Sequence, residues 1–168
     1  GFLLTACNKK TASSAKPLNA LEAIKARGVF ILGHEDSFPP LGFIDGNGES
    51  AGYDTDLAKE VAKRMGVDFK TRIVVWEDIK KELDVGNVDC IWNGFTANSS
   101  DDGTPRSQLV DFSYYYMKNY QAIVVKKSEL ANYTDKATSF SGKTGYIEAE
   151  SAAVDYAATL TGANVKEA

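Results

Sequence analysis

The chain has 168 residues, 43% of them hydrophobic and 25% charged, an ordinary globular balance sufficient for one compact domain or one lobe plus part of another. Its 19 Lys and Arg against 23 Asp and Glu leave a net charge of −4. With no basic block, nucleic acid is excluded as a partner and anionic headgroups offer no general attraction. Cys7 and Cys90 form no disulfide framework and His34 is the single histidine, which excludes a conventional zinc site and a Ser-His-Asp triad built on a second histidine. Pyridoxal, flavin and nicotinamide signatures are missing, so neither cofactor nor metal is expected.

The first residues read as a processing signal. Gly1 to Cys7 looks like the tail of an apolar stretch ending in small residues before a cysteine, and Leu4-Thr5-Ala6-Cys7 resembles a bacterial lipobox. Cys7 is the expected lipidation site. The alternative is a core strand with a buried cysteine. Asn8 to Lys16 is polar, small and aperiodic, the composition of a flexible tether.

Beyond Pro17 the pattern becomes periodic. Leu18, Leu21 and Ile24 sit at helical spacing and Gly28 supplies a stop. Val29 to Gly33 is a continuous apolar run suited to a strand buried on both faces. Ser37-Phe38-Pro39-Pro40 demands an extended loop. Asp45-Gly46-Asn47-Gly48 between Phe43-Ile44 and Ala51-Gly52-Tyr53 is a hairpin turn. Asp54 is placed to cap a helix whose apolar face reads Leu57, Val61 and Met65, with Gly66 ending it. Phe69, Thr71, Ile73 and Val75 alternate with charged residues as a half-buried strand. Ile79 and Leu83 mark a short helix closing at Gly86, and Val88 to Trp92 is the next strand.

Alternating helices and strands imply a mainly parallel α/β sheet, in which ligands sit at the carboxyl ends of strands. The loops after Leu32, Val75 and Trp92 are therefore the places for a site. Further on, Tyr120 to Val125 reads as a strand, Gly142 to Ile147 as another, and a helix follows through Val154 and Ala158.

The ordered motifs Phe38-Pro39-Pro40-Leu41-Gly42-Phe43, Gly52-Tyr53-Asp54-Thr55-Asp56-Leu57-Ala58, Asn87-Val88-Asp89, Asn93-Gly94-Phe95-Thr96, Arg106 and Val110-Asp111-Phe112-Ser113 resemble the polar-amino-acid class of bacterial extracellular solute-binding proteins. The string from Gly142 to Tyr156 resembles the start of that family's second lobe. The resemblance implies a two-lobed, periplasmic-binding-protein-like α/β fold that closes on an amino acid, with lobe one nearly complete and lobe two incomplete. It implies residues 1–17 as signal remnant, lipobox and tether, 18–117 as lobe one, and 118–168 as hinge strand and start of lobe two. Tyr120 to Val125 would be the first crossing strand, and Tyr114 to Tyr116 hinge packing.

The resemblance also assigns roles. Arg106, six residues before Phe112, takes the ligand carboxylate through parallel hydrogen bonds that Lys could not reproduce. Gly94 offers a backbone N–H and Thr96 a hydroxyl to the same ligand end. Phe38 and Trp76 are the aromatic walls, Glu35 meets a polar or cationic group, Asn93 borders the pocket, and Ser151 gives a backbone donor from lobe two. Two departures stand out. Asn98 to Gly103 is an insertion whose acidic residues would weaken carboxylate binding if they fold inward. Glu148 and Glu150 stand where the family has a polar or basic residue and a glycine, which disfavours an acidic ligand.

The expectation is a monomeric binding protein on the extracytoplasmic face, held to the membrane by an N-terminal lipid. It passes a polar or cationic amino acid to ABC permease subunits and is not an enzyme. The alternatives are a dehydratase-type enzyme on the same scaffold, with Glu35 as its acid, and the sensing domain of a receptor.

Overall fold

The computed structural model describes residues 19–134 and 136–168; Cys7 and the stretch 1–17 lie outside them. Helix α1 (Ala20–Arg27) opens with a capping box, in which Asn19 accepts from the Glu22 N–H while Glu22 reaches back to the Asn19 N–H. Gly28, in the left-handed region, ends it. Leu21 of the expected apolar face is exposed, and Ile24 alone is buried.

The central sheet has three parallel strands in the order β5 (Asp68–Ile73), β1 (Val29–His34), β6 (Cys90–Ile91). The alternation of β1 divides the core. Phe30 and Leu32 pack on one face with Ile24 and with Ala58 and Ala62 of α2 (Tyr53–Met65). Ile31 faces the other side, against Val74, Trp76 and Val88 and Ile79 of α3 (Ile79–Asp84). Helices on both faces of a parallel sheet give the expected α/β layering. Gly33 is required by close approach, since a Cβ there would stand 2.7 Å from Ile91 Cδ1 and 3.2 Å from Val88 Cγ1.

Between β1 and α2 runs a small antiparallel sheet of β2 (Ser37–Phe38), β3 (Gly42–Ile44) and β4 (Ser50–Ala51). Its turn is the one read from Asp45 to Gly48, with Asp45 Oδ1 accepting from the Asn47 and Glu49 N–H groups at 2.8 and 3.0 Å. Asp89 ties α1 to the sheet, pairing with Arg27 and accepting from the Ile31 N–H at 2.8 Å.

Several expectations are corrected. Asp54 does not cap α2: Gly52 is the N-cap, and Asp54 is fully buried inside the first turn. The buried stripe of α2 is Thr55, Ala58 and Ala62, with Leu57, Val61 and Met65 only half-buried. The small alanines let the helix axis approach the sheet, and the larger residues close its flanks. The alternation of β5 fails at its end: Val74 is buried and Val75 is 63% exposed, because the chain turns there into the 3₁₀ turn Trp76–Asp78. Tyr120 to Val125 pairs with no strand among the described residues, and Val124 is 92% exposed. An apolar, β-branched run shows strand propensity, but a strand forms only where a neighbouring edge accepts its hydrogen bonds. Tyr114 and Tyr115 are exposed, so Tyr116 alone of the three packs, edge-on against Trp92 at 5.4 Å.

Within the first lobe, β7 (Ser100–Asp101) and β8 (Thr104–Pro105) form a hairpin whose first strand and turn come from the stretch Asn98 to Gly103. The second lobe carries the parallel pair β9 (Thr144–Ile147) and β10 (Asn164–Glu167) with α4 (Ala153–Ala157) between them.

Candidate functional site

The three strand-end loops named from the sequence converge. Glu35 and Phe38 follow β1, Trp76 follows β5, and Asn93, Gly94 and Thr96 follow β6; with Arg106 they form one wall of a cavity of about 330 Å³. Ser151, Ala152, Ala153 and Glu148 of the second lobe form the opposite wall, and Asn119 to Gln121 close one side. All eight expected residues thus line a single cavity whose walls come from both lobes. Its size lies at the small end of ligand pockets, right for a molecule of amino-acid dimensions.

Arg106 is 1% exposed. Its guanidinium lies 4.3 Å from the Phe95 ring centroid and 5.9 Å from that of Trp76, flat aromatic surfaces that suit a delocalised cation. Phe95 in turn stacks on Phe112 at 5.8 Å. The arginine is not idle: Nε donates to Asp101 Oδ1 at 2.8 Å, one terminal nitrogen to the Thr96 carbonyl at 3.3 Å, and the other to the Glu150 carbonyl at 2.7 Å. Three of five N–H groups are engaged, leaving two on the terminal nitrogens. The inserted acidic loop does fold inward, through Asp101.

Glu35 is half-buried beside Asn93, whose Nδ2 donates to Glu35 Oε2 at 3.0 Å. Burial first, then the negative charges of Glu148, Asp36 and Glu77, push its carboxyl up to about 7 against the donor from Asn93. Glu148, across the cavity, is also raised, by burial and by Glu77. Two lining carboxylates therefore face one arginine already shared with Asp101, and the cavity is short of positive charge.

Trp76 does two jobs. It is buried in the core with Val74, Ile79 and Val88, while its Nε1–H donates to the Glu150 carbonyl of the second lobe at 3.2 Å. Phe38 is 44% exposed over the cavity. Thr96 Oγ1 accepts from Asn119 Nδ2 at 2.9 Å and keeps its own hydroxyl hydrogen. The Gly94 N–H is taken: it lies 3.1 Å from Asp54 Oδ2 and 3.3 Å from Tyr116 Oη. A ligand oxygen would have to compete with the buried Asp54 carboxylate for the same hydrogen. His34, fully buried, is structural: Nδ1 donates to the Glu35 carbonyl at 2.6 Å, Nε2 is hydrogen-bonded with Ser50 Oγ at 2.9 Å, and burial lowers its basicity.

Sequence reasoning missed Asn119, Tyr120 and Gln121, because the stretch reads as a hinge strand and not as pocket lining. Asp155 was also missed. Its carboxylate accepts from Ser99 Oγ at 2.8 Å, the Ser100 N–H at 3.0 Å and Ser100 Oγ at 2.8 Å, donors that hold it below the ordinary carboxylate value. No pattern in a single sequence links residues so far apart.

Two α/β lobes wall one small cavity that carries both charged and aromatic side chains. The chain belongs to the bacterial extracellular solute-binding proteins, family 3, whose pattern matches residues 30–158. Among relatives, it is 31% identical over 110 residues to the L-cystine-binding protein TcyJ of Escherichia coli (strain K12), covering 65% of this chain and 40% of TcyJ. Among solved structures, the ancestral amino acid-binding protein AncCDT-1, a precursor of cyclohexadienyl dehydratase, superposes with a TM-score of 0.79 at 28% identity, covering 89% of this chain and 65% of that one. An ancestral arginine-binding protein bound to arginine gives 0.73 at 32% identity, covering 84% and 61%. The chain therefore spans between two fifths and two thirds of the length of these proteins. Among the described residues no helix is long and apolar enough to cross a membrane.

Proposed function

We propose that this protein captures a free polar or cationic amino acid between its lobes, outside the cytoplasm, and delivers it to the permease subunits of an ABC importer. The observation that carries the reading is the cavity of about 330 Å³, whose lining offers one cation, Arg106, and two carboxyl groups, Glu35 on the same wall and Glu148 across from it. An amino acid presents a carboxylate to the arginine and an ammonium or cationic side chain to the carboxyl groups, with Phe38 and Trp76 against its stem. The ligands that name these relatives, cystine and arginine, fit that chemistry. Thr96, Asn93 and Ser151 supply further polar contacts, and the Gly94 backbone forms part of the wall. Lobe one runs to residue 117 and the hinge begins at 118, within the stretch 109–126 that carries no strand or helix and whose residues Asn119 to Gln121 line the cavity. The protein acts as a monomer, and Cys7 anchors it, since two or more acyl chains hold a protein stably on a membrane.

Isothermal titration with L-arginine, L-lysine, L-histidine, L-cystine and L-glutamate tests the reading. Heat with at least one of the first four and none with glutamate is expected; no heat with any of them overturns it. The acidity of Glu35, near neutrality, favours a second reading: a general acid for dehydrating a prephenate-like substrate. That substrate is an anion, which Glu148 and ionised Glu35 repel, so binding is the better reading. Turnover of prephenate by the purified protein would reverse the order.

A further inference from the structure

The inserted hairpin joins the two lobes. Its turn residues Asp102 and Gly103 have φ of 49° and 76°, the left-handed pair of a tight two-residue turn in which Asp-Gly is favoured. Ser100 pairs with Pro105 and Asp101 with Thr104. That turn sends the Asp101 side chain to Arg106, inside the cavity wall. It turns Ser99 and Ser100 toward the second lobe, where three donors meet both oxygens of Asp155, 55 and 56 residues further along the chain. Every atom in this contact belongs to the protein. Ser99 is 8% exposed, so its bond to Asp155 is partly shielded from competing water, while the two from Ser100 are exposed.

We propose that Ser99, Ser100 and Asp155 form a clasp that biases the two lobes toward closure before any ligand arrives, with Asp155 as a positioning residue for capture. The clasp lies beside the Glu150 carbonyl, which accepts from both Arg106 and Trp76 across the same cleft, so closing it sets the cavity's far wall. A protein whose competent state is scarcely populated loses affinity by that fraction, and a built-in closing contact returns it. The ligand named in the test rests on the binding reading above; the clasp itself does not.

The test uses the full chain in a Trp92→Phe background, so that Trp76 emission alone reports whether the cleft is shut. Asp155→Asn from one lobe, and Ser99→Ala with Ser100→Ala from the other, are expected to red-shift emission without ligand. They are also expected to weaken L-arginine binding roughly tenfold, chiefly through faster release, as loss of bonds to a charged group implies. Asp155→Glu should recover part of both effects. Unchanged ligand-free emission in both variants overturns the clasp. Shifted emission in both, with no arginine bound even by the parent, upholds the clasp and removes the ligand reading instead.

Discussion

Arg106 Nε lies 2.8 Å from Asp101 Oδ1, a residue five positions earlier that belongs to the inserted hairpin. The arginine is buried and the aspartate partly so. Without the hairpin that guanidinium edge would face the cavity or water. With it, the charge offered to a ligand is shared with a fixed carboxylate.

This pair sets the first prediction. Asp101→Ala leaves a buried guanidinium without its counter-charge, a loss of about 3 kcal/mol of stability by analogy with broken buried pairs. Asp101→Asn keeps an acceptor for Nε and should lose less, while removing negative charge near the ligand carboxylate. Urea unfolding of the three proteins should therefore rank wild type, Asn, Ala. Titration should show Asp101→Asn binding an amino acid at least as tightly as wild type. A midpoint for Asp101→Ala equal to wild type would contradict the pairing.

The pH dependence follows from Glu35. Its native carboxyl titrates at about 7 against an ordinary 4.5, so the folded state holds its proton more tightly than the unfolded one. Stability linked to this group is fully present below the ordinary value and is lost as pH rises through about 7. A cationic ligand prefers the ionised form, so affinity for arginine or lysine should increase between about pH 6 and about pH 8, with proton release on binding. Calorimetry in two buffers of different ionisation enthalpy measures that proton. Glu35→Gln should flatten both trends.

Tyr116 supports the site from behind. Its hydroxyl donates to Asp54 Oδ2 at 3.0 Å, and the Gly94 N–H reaches the same oxygen at 3.1 Å. Asp54 is fully buried, and burial raises its carboxyl despite both donors. Tyr116→Phe removes one donor from a buried carboxylate and should lower stability by about 1–3 kcal/mol. Thermal unfolding measures this, and Tyr115→Phe, at an exposed ring, is the control expected to change nothing.

The sequence and the structure agree where local chemistry decides. β1 is legible because an apolar run flanked by glycine has few other uses, and the Asp45 turn because its residues suit only a turn. The strand-end loops follow from parallel-sheet topology, and within them the family resemblance picked out Glu35, Trp76 and Asn93. The contacts of Arg106 could not be read in either way. They depend on the path of an insertion and on the docking of a second lobe, both set by pairs such as Ser99–Asp155 that no periodicity encodes. The α2 stripe shows the same limit. Apolar spacing marked Leu57, Val61 and Met65, yet close helix-to-sheet packing chose the alanines.

Glu150 gives the last prediction. Its backbone sits at φ 55°, where a side chain crowds the neighbouring carbonyl, while glycine adopts the region freely. The strain persists because the Glu150 carbonyl, held in that orientation, accepts from both Arg106 and Trp76. Glu150→Gly keeps the carbonyl and removes the Cβ, so stability should rise by about 1 kcal/mol. Glu150→Ala keeps the Cβ and should gain nothing from relief of strain. The two substitutions delete the same carboxylate, so any difference between their melting temperatures reports the backbone alone. Equal melting temperatures would mean that the left-handed turn carries no strain and that the carbonyl is held by other means.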